Sequence, residues 1–418
     1  MRVESETYAW RDFPEIGARI EHPLLRQPLT LIVDDPTPAY NPAYFHSGFR
    51  NGPLYVDRGL IDEFADLIET TGIRGKFSII PYPFGFGRVD RDVQGVSAAD
   101  VTYFLDVVRA RIAPLLDVTP EALTHWNALD LRTGQLLPYW EHIWSRQQTR
   151  ESLTPYMALS LEILANVGFD CSGVTSPWDF GDGVEREYAE AILAAQRAVH
   201  GRTLTWYFLQ MDGTSRRIPP RLPVFRPERG EAVVSIVVCD AYDFGRGVWS
   251  GGQPDPDMLI TADGTAGRLV ETLTAGGPVA FHTHWQTMFS QGTRRGMAAL
   301  AEVARRVEAH FGQMVTWTRC SDLAQYAAAS AAVQITTTRA AGGAISLTTH
   351  TPFACPTFTL SVPVSQPIPA VHVDGRPLQP SSTGSLAPES YTVVGDRLYL
   401  CWSLAGMQQV TIGVPGAS

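Results

Sequence analysis

The sequence predicts a (β/α) barrel of about seven parallel strands followed by a small all-β sandwich domain. Three observations predict it. Apolar runs suited to buried strands alternate about seven times with helical stripes. Polar residues collect just past the carboxyl ends of five of those strands, where α/β folds gather their ligands. After Ala332 the texture changes to short alternating strands at hairpin spacing. The chain therefore divides into a lead-in over 1–26, a barrel over 27–332 and a β-sandwich over 333–418.

The lead-in is rich in aromatics and charge and has no clear period. Leu29 to Val33 is apolar and partly β-branched, reads as a strand buried on both faces, and runs into Asp34-Asp35-Pro36. Residues 36–56, with four prolines, the aromatics Tyr40, Tyr44, Phe45 and Phe49, and His46, form a loop long enough to be functional or disordered. His46 fits a surface position best. Leu60, Phe64, Leu67 and Ile68 make a helical stripe. Gly75 to Pro81 is the second strand. Ala98 to Leu116 is a helix capped by Ser97, and Leu123 to Trp126 a short third strand. Ser152 to Val167 is helical, Phe169 to Val174 the fourth strand, and Glu185 to His200 helical again. Ala232 to Cys239 is the fifth strand and runs into Asp240-Ala241-Tyr242-Asp243. Met258 to Ala275 is helical in part. Gly277 to Phe281 is the sixth strand, ending in His282-Thr283-His284-Trp285. Met297 to Phe311 is amphipathic, Met314 to Trp317 the seventh strand, and Ser321 to Ala332 the last helix.

Bulk properties exclude several function classes. The 418 residues carry a net charge of −10, which disfavours nucleic acid and anionic membranes as partners. No apolar run reaches the roughly 18 residues of a membrane helix. The first six residues have no apolar signal-peptide core. The five cysteines are far apart without zinc-type spacing, so a reducing cytoplasm is the expected location.

Two adjacent carboxylates at the end of a buried strand need a metal ion, an arginine or a shared proton to offset their repulsion. Asp34-Asp35 is thus a candidate site, with one carboxylate as ligand and the other as base; a solvated strand-end turn is the ordinary alternative. His125, the Asp240/Asp243 pair and the His282/His284 pair occupy corresponding strand ends. His284 faces the same way as His282 by period-2 alternation. Trp126, Trp178 and Trp285 are candidate stacking walls for sugar rings, though core packing is the commoner fate of tryptophan. Arg226 is a weak candidate for holding a carboxylate, and His142, His310 and His350 are read as surface residues.

From Leu29 to Ser330 the chain resembles the polysaccharide deacetylase family of carbohydrate esterases. Ile32-Val33-Asp34-Asp35-Pro36 is similar to the family's TFDDG, and Gly75 to Ile79 to its ATFF. Thr175-Ser176-Pro177-Trp178 matches the proline of RxPxG but lacks the arginine. Asp240 to Phe244 matches both aspartates of DxxDW, and Val279 to His284 is similar to the strand ending in the catalytic histidine. The resemblance implies a distorted seven-stranded barrel and removal of an acyl group from an amino sugar or polysaccharide. It implies a divalent ion, zinc or another first-row metal, held by Asp35 and His125. It implies Asp34 as base and His282 as acid, with Asp240 orienting that acid, and Asp243 and His284 beside the carbohydrate substrate. His284 is also open as the acid or a further ligand. The family's HxxxH is broken, because Leu129 stands four residues after His125. Asp130 is a candidate replacement ligand, His282 or His284 could equally close the set, and a rebuilt site or none at all stays open; a carboxylate in place of imidazole favours a harder ion. Two rival readings stay open: a glycoside hydrolase using two carboxylates such as Asp35 and Asp240, and a non-catalytic carbohydrate-binding protein.

Overall fold

The structure, a computed structural model, describes residues 10–39, 57–245, 252–339, 345–364, 370–382 and 386–413. His46 and the aromatics Tyr40, Tyr44, Phe45 and Phe49 lie outside the described residues.

In chain order the strands are β1 (Arg11–Phe13), β2 (Ala18–Ile20), β3 (Gln27–Asp34), β4 (Gly75–Ile79), β5 (Leu116–Pro120), β6 (Asn127–Asp130), β7 (Gln135–Trp140), β8 (Gly173–Thr175), β9 (Leu204–Met211), β10 (Arg221–Arg226), β11 (Glu231–Val238), β12 (Val279–His284), β13 (Val315–Trp317), β14 (Gln334–Arg339), β15 (Ile345–Pro363), β16 (Val371–Val373), β17 (Arg376–Pro377), β18 (Gln379–Pro380), β19 (Ser390–Val394) and β20 (Arg397–Ile412). The α-helices are α1 (Arg58–Thr71), α2 (Ala98–Val107), α3 (Glu141–Ser145), α4 (Arg150–Asn166), α5 (Glu185–His200), α6 (Arg268–Thr274), α7 (Trp285–Phe289), α8 (Arg295–Phe311) and α9 (Cys320–Ala332).

The fold is mixed α/β with parallel strands. Among the described residues these strands do not close into one ladder. They form a five-stranded sheet, β12-β3-β4-β5 with β13 on β3, and a four-stranded sheet, β10-β11-β9-β8. The two sheets touch at two places. At one seam the Cys239 N–H donates to Ala280 O at 2.7 Å; at the other the Ala122 N–H donates to Thr175 O at 2.8 Å. Where a distorted barrel of about seven strands was expected, the described residues show two largely parallel sheets, with β10 antiparallel to β11, that meet at narrow seams.

The third strand lies earlier than the periodicity places it. It is β5, and residues 121–126 form a loop beyond it. The helix expected to reach Leu116 ends sooner, at a wide π turn over Val108–Ile112. Leu204–Met211 is a further parallel strand whose unbroken apolar and aromatic run lacks alternation.

Burial explains the strand composition. All eight residues of β3 are buried, and so are all eight of β11. Alternate side chains enter different clusters: Leu29, Leu31 and Val33 pack with the helices, whereas Ile32 points to the other side with Phe208, Ile236 and Ala280. Gly75 permits the close approach of β4 to β3, because a Cβ there would lie 1.8 Å from Leu31 O. That contact sets the register pairing Ile32 with Lys76.

The seven C-terminal strands, β14 to β20, join β1 and β2 in one hydrogen-bonded network of nine strands. The lead-in is part of it: β1 and β2 form a hairpin, and β2 pairs with β15. This sheet shares a core with α9 and the faces of β9 and β11 that point away from α5. Phe353, Phe358 and Trp402 cluster with Trp206, Val234, Tyr326 and Ala328. No described helix is long and apolar enough to cross a membrane, and all five cysteines are free and buried.

Candidate functional site

The carboxyl ends of β3, β5, β8, β9 and β12 open onto a cavity of about 610 Å³. Its lining includes Asp34, Asp35, Glu121, His125, Trp178, Asp243, His282 and His284. Six of the strand-end residues singled out from the sequence therefore share one cavity. Three residues around it hold left-handed backbone: Asp35 (φ 70°), His125 (φ 49°) and Trp178 (φ 52°). Each is sterically costly without glycine, and such strain concentrates at functional sites.

At the floor stand Asp35, Glu121 and His125, all at most 3 % exposed. His125 Nε2 is 2.8 Å from Asp35 Oδ1 and 3.3 Å from Glu121 Oε1. Each residue offers one ligand atom, and the three atoms lie within 4.8 Å of one another. Other groups hold these three side chains from behind. The Asp35 N–H and the Ser78 hydroxyl donate to Glu121 Oε2 at 2.7 and 2.6 Å. Gln286, on α7, donates to Asp35 Oδ2 at 2.6 Å. Buried Glu141 accepts from the Thr124 and His125 N–H groups and from Tyr156 Oη, fixing the loop that carries His125.

A second pair of interactions flanks the first. Asp240, just past β11, stands with Oδ2 2.9 Å from His282 Nδ1, at an angle short of a regular hydrogen bond, and accepts from the His282 N–H at 3.2 Å. Asp243 Oδ2 is 2.9 Å from His284 Nδ1 and also accepts from the His284 N–H and Thr287 Oγ1. The two imidazole rings are 5.2 Å apart. Asp240 does not line the cavity, so it acts on it only through His282.

Burial and neighbouring charge set the protonation states. For Asp35, burial works against ionisation, but the charge of His125 outweighs it and holds the carboxyl well below the usual range. Burial, and then the charge of Asp35, push Glu121 up to about 8. Burial alone would lower His125; Asp35, then Glu121 and Glu141, raise it to about 10. His284 is likewise opposed by burial and raised to about 9 by its bond to Asp243 and the charge of Asp35. His282 is raised by Asp240 against burial.

Several expectations need correction. Asp130 is not at the site. It ends β6 in a hairpin, where its Oδ1 accepts from the Arg132 and Thr133 N–H groups. Glu121, not Asp130, clusters with Asp35 and His125, and the sequence carries a signal for it: Glu121 stands four residues before His125, whereas the HxxxH pattern places its second residue after it. Trp285 is buried beneath the site, edge-on to Phe64 and Phe77, so it is core rather than a sugar wall. Trp126 packs on Trp140 at 4.9 Å and is not among the lining residues. Trp178, 39 % exposed, lines the cavity and stacks on Trp140 at 4.2 Å. His142, read as a surface residue, lines the cavity beside Trp178. Arg226 is remote and pairs with Glu190 and Glu231. Lys76, Glu141 and Gln286 carry no motif that marks them, although a lysine inside an apolar strand is itself unusual.

The Asp35/Glu121/His125 set fits a divalent ion on its own geometry. Asp35 Oδ1 is buried and meets His125 Nε2 at 2.8 Å without a regular hydrogen bond. Donor atoms bound to one first-row ion at about 2.0–2.2 Å stand roughly 3 Å apart, as the 2.8 and 3.3 Å separations do.

No family model matches the chain, and no curated protein matches it. Solved structures share a distant likeness. A probable polysaccharide deacetylase from Pseudomonas aeruginosa PAO1 is 13 % identical, with a TM-score of 0.42 over 71 % of this chain and 89 % of the other. An allantoinase gives 13 %, 0.41, 71 % and 89 %. A proposed glycoside hydrolase/deacetylase from Parabacteroides distasonis gives 11 %, 0.41, 82 % and 82 %. At these scores the likeness carries no argument for the site.

Proposed function

We propose that the chain is a divalent-metal-dependent hydrolase that removes an acyl group from an amino sugar or glycan. The observation that carries this reading is the convergence of Asp35, Glu121 and His125 with two His–Asp pairs on one cavity. Asp35, Glu121 and His125 would hold the ion, in place of the Asp130-containing set expected from sequence. Such an ion, when bound, supplies Lewis acidity toward an acyl oxygen and toward water.

The remaining steps belong to the chain's own groups. Lys76 engages Asp34 Oδ1, and among the described residues Asp34 Oδ2 accepts no hydrogen bond. That oxygen takes the proton of the attacking water. His282, oriented by Asp240, donates a proton to the leaving group. His284, held by Asp243, faces the same space and positions the acyl group. Trp178 offers an exposed ring face at the rim, suited to the apolar face of a pyranose.

The two-carboxylate glycosidase reading has less support, because Asp35 and Asp240 are each engaged by a histidine. The binding-only reading rested on a missing third ligand, and Glu121 supplies one. The test is acetate release from N-acetylglucosamine oligomers before and after chelation. The proposal expects activity that chelation abolishes and added divalent ion restores. Release that survives complete chelation would refute the metal role.

A further inference from the structure

A lysine with no exposed surface lies directly behind the proposed base. Lys76, the second residue of β4, is 0 % exposed. Its Nζ donates to Asp34 Oδ1 and, at 2.7 Å, to Thr175 Oγ1 on β8. Thr175 Oγ1 is in turn 2.9 Å from Thr119 Oγ1 on β5. The ammonium also lies 5.7 Å from the centre of the Phe208 ring. A polar chain thus crosses four strands, β5, β8, β4 and β3, and ends on the carboxylate. Lys76 is not among the cavity-lining residues, so it cannot touch a substrate there.

The geometry points to Lys76 as the positioning residue of the reaction, fixing Asp34 so that Oδ2 faces the cavity, with Thr175 anchoring the ammonium. This rests on Asp34 being the base. Two facts support it. A buried ammonium needs an anionic partner, and Asp34 is the carboxylate it contacts. The bond occupies one carboxylate oxygen and leaves the other.

The test uses the full chain with its activity on acylated sugar. Lys76→Met should lower kcat by about a hundredfold with KM changed less than threefold, as displacing a catalytic group by about 1 Å does. Lys76→Ala combined with Thr175→Arg, which brings a cation from β8, should recover at least a tenth of wild-type kcat. Crystal structures add a readout independent of turnover: in Lys76→Met the Asp34 carboxylate should leave its wild-type orientation. Thr175→Val, close in shape and keeping both charges, covers the case in which Lys76→Met does not fold; it should lower kcat about tenfold at constant KM. Overturning results are an unmoved Asp34 in Lys76→Met, a folded double variant no better than Lys76→Ala alone, or an unaffected Thr175→Val. If wild type releases no acyl group, the functional reading fails, and the orientation of Asp34 in the variant structures still decides the role of Lys76.

Discussion

Glu121 Oε1 lies 3.3 Å from His125 Nε2, although the three-residue segment between them is a loop and not a helix. The strained backbone at Ala122 (φ 37°) and His125 (φ 49°) turns both side chains to the same point. Glu121 should therefore govern ion binding. Glu121→Gln is expected to weaken binding of Mn²⁺ and Zn²⁺ at least tenfold by calorimetry. Glu121→His should raise the ratio of Zn²⁺ to Mn²⁺ affinity at least tenfold, since imidazole suits zinc better than manganese. Unchanged affinities in both variants would place the ion elsewhere.

Ion uptake should release protons. With no ion bound, His125 at about 10 and Glu121 at about 8 are both protonated at neutral pH. A ligand set needs the imidazole neutral and the carboxylate ionised. Affinity should rise between roughly ten- and hundredfold per pH unit from pH 6 to 8. Proton release is read as the dependence of binding enthalpy on the buffer. Affinity independent of pH over that range contradicts the assignment.

The two His–Asp pairs should separate kinetically. Loss of a general acid costs about 10²–10⁴-fold in rate. His282→Ala should show a loss of that size in kcat with bound metal retained. Asp240→Asn should show a smaller loss, because it acts through His282. His284→Ala should raise KM more than it lowers kcat. The reverse pattern would transfer the acid role to His284.

A remote histidine should make stability pH-dependent. Trp10 Nε1 donates to His22 Nδ1 at 3.1 Å, so His22 Nε2 carries the proton toward Gly276 O, 2.6 Å away. Burial pushes His22 down to about 4 from an ordinary value of 6.5. Between those values the unfolded chain binds more protons, so stability is full above pH 6.5 and is lost as pH falls toward 4. The loss amounts to roughly 2–3 kcal/mol. Relative to His22→Gln, wild type should lose melting temperature as pH drops from 7 to 4.5. Parallel curves for the two proteins would show that His22 is not held neutral.

The α/β class and the strand-end cluster were legible because each rested on a local pattern. Buried runs such as Leu29–Val33 and Ala232–Cys239 mark strands, and Asp34-Asp35, Asp240-Asp243 and His282-His284 follow directly from them. What escaped depended on contacts between distant segments. β1 and β2 are too short to show a period, and their partner β15 lies more than 300 residues away. The apolar run containing Asp117 reads as a helix end until its pairing with β4 is known. Asp130 looked available because spacing carries no direction, and its hairpin turns it outward. Lys76 carried no motif, because its meaning comes from Asp34 and Thr175 on other strands.

The most direct test of the account is the metal content of the purified chain, by elemental analysis and anomalous diffraction, in wild type, Asp35→Asn and His125→Ala. The account predicts about one divalent ion per wild-type chain, located among Asp35, Glu121 and His125, and a loss of at least tenfold in affinity in each variant. A wild-type protein that takes up no ion yet still releases acyl groups would contradict it.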